Sequence, residues 1–81
     1  MHKNKVVDIV YYYQRLRDLR EDEEKKQSEI AKVLGISQQY YSRYEKGEVE
    51  IPFHYVITLA ELYNVSIDYI AGKTNDKRRY W

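Results

Sequence analysis

Residues 27–47 read "QSEIAKVLGISQQYYSRYEKG", and this stretch decides the fold. It holds two short helical patterns separated by "LGIS". Ile30, Ala31 and Leu34 mark the apolar side of the first pattern, which stops at Gly35. Glycine accepts the left-handed conformation that closes a helix. Ser37 opens the second pattern as an N-cap, its hydroxyl suited to accept a bond from a free backbone N–H. From Gln38 to Lys46 the spacing separates two faces. Tyr41 and Tyr44 are three apart and share an inward row. Gln38 with Ser42, and Gln39 with Arg43, are four apart and occupy adjacent outward rows. Tyr40 lies at the edge between the faces.

Outward from this centre, the remaining glycines and the single proline punctuate further helices. An earlier helix is expected to begin near Asp8 as N-cap, with Ile9, Tyr12, Leu16 and Leu19 as its apolar stripe. Its other face carries Arg15, Arg17, Asp18 and Glu21. After Gly47, Pro52 stands where a helix starts without losing a needed donor. Phe53, Val56, Ile57, Ala60 and Tyr63 form the expected stripe of that fourth helix. Ser66 caps a brief fifth, with Asp68 in its first turn, and Gly72 ends it. No stretch alternates long enough to argue for a strand. The expected fold is all-α, a compact five-helix bundle. The expected domain covers residues 1–72, with 1–7 as an N-terminal extension. Residues 73–81, "KTNDKRRYW", form a short polar and basic tail expected to be frayed.

Bulk properties narrow the function classes. The 81 residues suit one small domain with a thin core. The absence of cysteine excludes a disulfide framework or a thiolate metal site. No run of about 18 apolar residues is present to span a membrane. The start "MHKNKVVDIVYYYQ" makes a poor secretory core, so a cytoplasmic protein is expected and "NVS" at Asn64 is discarded as a glycosylation site. His2 and His54 are too isolated for a metal site. No nucleophile–base–acid grouping, paired-carboxylate site or phosphate loop is present, so neither an enzyme nor a cofactor is expected. Fourteen basic and 13 acidic residues give a net charge of +1, so a nucleic-acid partner requires charge sorted into a local patch. Most of the ten tyrosines fall on apolar rows and are expected to pack in the core with their hydroxyls at the surface.

The outward row of Gln38, Gln39, Ser42 and Arg43 suits a DNA major groove chemically. Glutamine can pair with adenine N6 and N7, and arginine with guanine O6 and N7. The alternative is an ordinary solvated face. The helix upstream favours the first reading. A helix, a tight turn and a second helix form a helix-turn-helix arrangement, whose second helix enters the major groove. Gln27, at the start of the upstream helix, can meet a phosphate together with the free backbone N–H groups there.

With these residues in hand, the chain resembles the phage-repressor and Cro type of helix-turn-helix domain (the xenobiotic-response-element family). The match runs from about Tyr12 to Gly72. It rests on Gln27, Ala31, Gly35, Ser37, Glu45 and Gly47 at these spacings, and on "LYNVSIDYIAG" towards the end. The resemblance implies a bacterial or phage transcriptional regulator that binds double-stranded DNA, usually a repressor acting as a homodimer on a palindromic operator. It implies base reading by Gln38, Gln39, Ser42 and Arg43, and backbone contact by Gln27 and Lys46. It further implies a structural salt bridge between Arg20 and Glu45. The family commonly carries Gly, an apolar residue and Ser or Thr before the glutamine, where this chain has Glu24, Lys25 and Lys26. Lys26 lacks a capping oxygen but brings positive charge near a phosphate. Tyr40 either faces the groove, reaching a thymine methyl or a phosphate, or packs on its neighbours. An antitoxin or other protein-interaction module, with a small toxin as partner, is the competing expectation, because fold does not fix function.

Overall fold

The computed structural model describes residues 11–78. They form α1 (Tyr12–Asp22), α2 (Gln27–Leu34), α3 (Gln38–Glu45), α4 (Phe53–Tyr63) and α5 (Ile67–Ile70). No strand occurs among the described residues. Helix α2 packs on α3, α1 on both α3 and α5, and α4 on α5. The core is one cluster to which every helix contributes, with Leu16, Ile30, Tyr41, Leu59 and Ile70 fully buried. Each of the aliphatic side chains among them stabilises the fold by about 1.5–3 kcal/mol through burial.

All five helices close in the same way. A left-handed residue at or just after the cap donates to the third carbonyl before it, and the next residue donates to the fifth. At α2 these bonds are Gly35 N–H to Lys32 O and Ile36 N–H to Ala31 O, 3.1 and 3.0 Å. At α1 they are Glu24 N–H to Glu21 O and Lys25 N–H to Arg20 O, 2.9 and 3.0 Å. Glycine supplies the left-handed residue at three of the five ends, Asn64 at another, and Glu24, at φ 56°, at the end of α1. A non-glycine residue there is strained by about 1–2 kcal/mol. Helix α1 is therefore closed by geometry rather than by composition, where the usual glycine is missing. Gly47 has a second constraint besides its φ of 74°. A Cβ there would lie 2.9 Å from the Tyr13 ring, so the ring fixes the exit of α3 against α1.

The caps at Ser37 and Ser66 form as expected, accepting from Tyr40 N–H and Tyr69 N–H at 3.1 and 2.9 Å. Four expectations need correction. First, α1 begins at Tyr12 after an extended Tyr11, not near Asp8; Asp8 and Ile9 lie outside the described residues. Second, Arg15 is buried rather than on the solvated face. It sits three residues after Tyr12 and four before Leu19, on the inward side. Its guanidinium lies 4.0 Å from the Tyr69 ring centre and donates to Asn75 Oδ1 at 2.6 Å. Third, the α4 stripe is rotated: Leu59 is fully buried beside Ala60, whereas Phe53 is 64% exposed. Fourth, residues 73–78 are not frayed, because Asn75 holds Arg15 and Lys77 O accepts from Ser66 N–H at 2.9 Å.

Two tyrosines also differ from expectation. The hydroxyls of Tyr41 and Tyr63 are buried rather than at the surface, that of Tyr41 beside the Glu45 carboxylate and that of Tyr63 without a hydrogen-bond partner among the described residues. Burial pushes both phenols well above the ordinary tyrosine range, with the Glu45 charge adding to it.

Candidate nucleic-acid interface

Helix α3 exists as an amphipathic element because the chain places tyrosines and amides on opposite rows. Tyr41 and Tyr44 are buried and stack edge-to-face at 6.2 Å, filling the space against the core. This fixes the rotation of the helix about its axis. Gln38, Gln39 and Arg43 then project into solvent, with Ser42 half-buried beside them. Tyr40 packs its ring edge-to-face on Tyr44 at 5.4 Å and remains 41% exposed. The Arg43 guanidinium lies 5.4 Å from the Tyr40 ring centre, and its Nε is 3.5 Å from Glu48 Oε1. Glu48 is a member of this surface that periodicity along α3 misses, since it lies beyond the helix.

Behind the exposed row, Glu45 is buried at the end of α3 and anchors it to α1. Arg20 Nε and Nη2 donate to the two oxygens of Glu45, at 2.7 and 3.0 Å. Arg20 Nη1 donates to the Lys25 carbonyl at 3.0 Å, so the same guanidinium also holds the turn into α2. Such a fork-to-fork pair sets orientation as well as distance. Burial alone would raise the Glu45 carboxyl. The bonds donated by Arg20, with the neighbouring Tyr41 hydroxyl and Gln27 adding to them, outweigh that and hold it below the ordinary carboxylate range. The same bond raises the Arg20 guanidinium above its ordinary value.

Gln27 joins this network. Its Nε2 donates to Glu45 Oε1 at 3.0 Å, and its Oε1 accepts from Gln38 Nε2 at 2.7 Å. The first residues of α2 and α3 are thus tied side chain to side chain. Nothing in the linear pattern signals the Gln27–Gln38 bond, which joins residues 11 apart across the turn. Gln27 keeps one amide N–H unused in these bonds. A shallow hollow beside it is lined by Arg20, Lys26, Gln27, Ser28 and Gln38. Lys26 precedes the first turn of α2 with an extended backbone, and its N–H donates to Glu29 Oε1 at 2.7 Å. Lys46, also exposed, caps α3 at the other end of the row.

The sequence-predicted residues therefore fall into three groups. Gln38, Gln39, Ser42, Arg43 and Tyr40 share the outer side of α3. Lys26 and Gln27 flank it at the start of α2, and Lys46 at the α3 end. Arg20 and Glu45 lie beneath. The free N–H groups at the start of α2, the amides and the exposed cations offer donors for an anionic, hydrogen-bonding partner. Among the described residues no cluster of His, Asp or Glu is arranged to hold a metal ion, and no helix is long and apolar enough to cross a membrane.

Comparison with known proteins bears on the family and the fold. The sequence pattern of the Helix-turn-helix family matches residues 16–70. YobD of Bacillus subtilis (strain 168), an uncharacterized HTH-type transcriptional regulator, is 40% identical over 65 residues, covering 80% of this chain and 58% of YobD. PYRAB03670 of Pyrococcus abyssi (strain GE5 / Orsay), a putative HTH-type transcriptional regulatory protein, is 36% identical over 53 residues, covering 65% of this chain and 17% of that protein. The chain thus spans less than two thirds of the length of both relatives. Among solved structures, the P22 c2 repressor, crystallised with a synthetic operator, superposes with a TM-score of 0.72. It is 23% identical, and the match covers 80% of this chain and 98% of the repressor chain. With the family pattern spanning most of α1 through α5, and the same fold in that repressor, the chain belongs to the helix-turn-helix family of phage-repressor and Cro type.

Proposed function

We propose that this chain binds double-stranded DNA in a sequence-dependent way, with α3 in the major groove, and that it regulates transcription as a repressor. The observation that carries the proposal is the outward row of Gln38, Gln39, Ser42 and Arg43 on a helix clamped from behind by Arg20 and Glu45. A base-reading row needs a fixed rotation, and a buried ion pair supplies it. Gln27, Lys26, Tyr40 and Lys46 are proposed to contact the sugar-phosphate backbone and set the register. The P22 c2 repressor, which shares the fold, is known in complex with operator DNA, which supports this choice of partner. The chain is proposed to act as a homodimer on a palindromic site. Exposed Phe53 and Ile57, with the apolar groove between Tyr12, Ile51, Val56 and Ile70, offer surface for a second protein chain.

That apolar face also favours a second reading, a protein-interaction module of the antitoxin kind. One experiment separates the two. Binding sites are selected from a random duplex DNA pool, and the winner is titrated against salt. Enrichment of a palindrome with half-sites about one helical turn apart is the expected result. The salt slope then counts phosphate contacts at about 0.9 per contact. Absence of any enriched sequence, with only weak salt-sensitive binding, would reject base reading and favour the protein partner.

A further inference from the structure

An exposed arginine is a poor reader on its own. Its guanidinium meets a phosphate of any sequence as readily as the edge of a guanine, and only the second contact carries sequence information. What restricts Arg43 begins in the backbone at the end of α3. Gly47 turns left-handed, with φ 74°, and Glu48 N–H donates to Arg43 O at 3.0 Å. This closure brings together the side chains of the two residues it joins, a contact that apolar residues commonly make. Here the contact is an ion pair, with Glu48 Oε1 3.5 Å from Arg43 Nε. The Tyr40 ring centre lies 5.4 Å from the same guanidinium, and Tyr40 is itself held edge-to-face on buried Tyr44. The carboxylate engages Nε, and neither terminal NH2 group donates to an acceptor among the described residues.

We infer that Glu48 is a specificity-determining positioning residue. It biases Arg43 towards guanine by engaging Nε, which leaves the two terminal NH2 groups as a parallel pair of donors, and by placing a negative charge where a phosphate would otherwise approach. This rests on the reading of α3 as a base-reading helix. The two NH2 groups match N7 and O6 of guanine, which both accept. A phosphate carries a full charge and is repelled by Glu48, whereas a guanine edge carries only partial charges and is repelled far less. The same carboxylate therefore lowers the attraction to all DNA and raises the contrast between sequences. Both members of the pair are about half exposed, so the influence is that of a surface ion pair and is modest in size.

The test begins with site selection from a random duplex pool by the wild type and Arg43→Ala, which identifies the base position that Arg43 meets. Affinities for each of the alternative bases at that position are then measured for the wild type, Glu48→Gln and Glu50→Gln. Glu50 is exposed on the same loop, so its variant removes an equal charge while the Arg43–Glu48 pair stays in place. The wild type is expected to prefer guanine. Glu48→Gln is expected to bind every duplex more tightly, and most of all those without the guanine, so that the preference falls about twofold to fivefold. On those duplexes its salt slope should steepen by about 0.9, as Arg43 takes up one phosphate. Glu50→Gln should raise affinity evenly and leave the preference intact. A guanine preference unchanged in Glu48→Gln, or reduced equally in Glu50→Gln, would overturn the inference while base reading stands. So would a preference for another base at the Arg43 position. A wild type that enriches no sequence would reject base reading, and the inference with it.

Discussion

Helix α3 contributes one member to each of two arginine–glutamate pairs whose difference lies in burial. Arg20–Glu45 has side-chain exposures of 13% and 4% and a shortest approach of 2.7 Å. Arg43–Glu48 has exposures of 48% and 51% and an approach of 3.5 Å. In the first, the Glu45 carboxylate is sealed from water and the Arg20 guanidinium is largely so, so loss of one partner leaves a poorly solvated charge and the pair acts as a fixed joint between α1 and α3. In the second, water can replace either partner and a phosphate can replace Glu48 at little cost, so Arg43 remains available. The same two residue types thus hold the helix in one place and leave it free to bind in another. Burial, not identity, assigns the roles.

The largest expected effect tests the joint. Arg20→Met should lower stability by about 3–5 kcal/mol in urea unfolding, because it strands the Glu45 carboxylate. Replacing both partners by apolar residues should recover much of that loss, since no charge is left unpaired. The pair should also show in the pH dependence. The Glu45 carboxyl lies below its ordinary value of 4.5 in the folded chain, so the unfolded chain takes up the proton first as pH falls. Its stabilisation is present above about pH 4.5 and is lost as pH drops through the lower folded value. Unfolding curves of wild type and Glu45→Gln between pH 7 and pH 3 should therefore converge on acidification. Parallel curves would show that the joint is not ionic.

Next in size is Arg43→Ala, which should weaken binding to the selected DNA by about 1–3 kcal/mol and relax one base position. Its stability should stay within about 0.5 kcal/mol of wild type. A large stability loss would erase the contrast between the two arginines. A smaller change sharpens the joint: Glu24→Gly should relieve the left-handed strain in the turn whose Lys25 carbonyl receives Arg20 Nη1. It should raise the urea midpoint by the equivalent of about 0.5–1 kcal/mol, the net of relieved strain and added chain freedom. The smallest effect is expected from Glu48→Gln. Loss of so exposed a pair should change stability by less than about 1 kcal/mol, while DNA affinity should rise slightly because Arg43 loses a competitor and the surface loses a negative charge.

How far the linear pattern carries can be judged from single residues. Tyr41, Tyr44 and Leu16 were legible as core because they recur at helical spacing, and the Ser37 and Ser66 caps because a hydroxyl before a helix has one main use. Arg15 was not, since its charge argued for solvent. It is buried because Tyr69 and Asn75, 54 and 60 residues away in the chain, supply a ring face and an oxygen. Phe53 is exposed where the core was expected, and Leu59 is buried in its stead, because the packing of α4 on α5, not its own periodicity, sets which row faces the core.

The sequence by itself determined the helices, their order, the turn between α2 and α3, and the side of α3 that carries amides and arginine. These are local matters, fixed by spacing along one helix and by the capping chemistry of its ends. Only the tertiary structure decided that Gln27 faces Gln38, that Glu45 is sealed under Arg20, and that residues 73–78 lie back on the domain. Those contacts join residues distant in the chain. Their partners and polarity follow from which donors and acceptors meet after packing, and periodicity along one element carries no record of that.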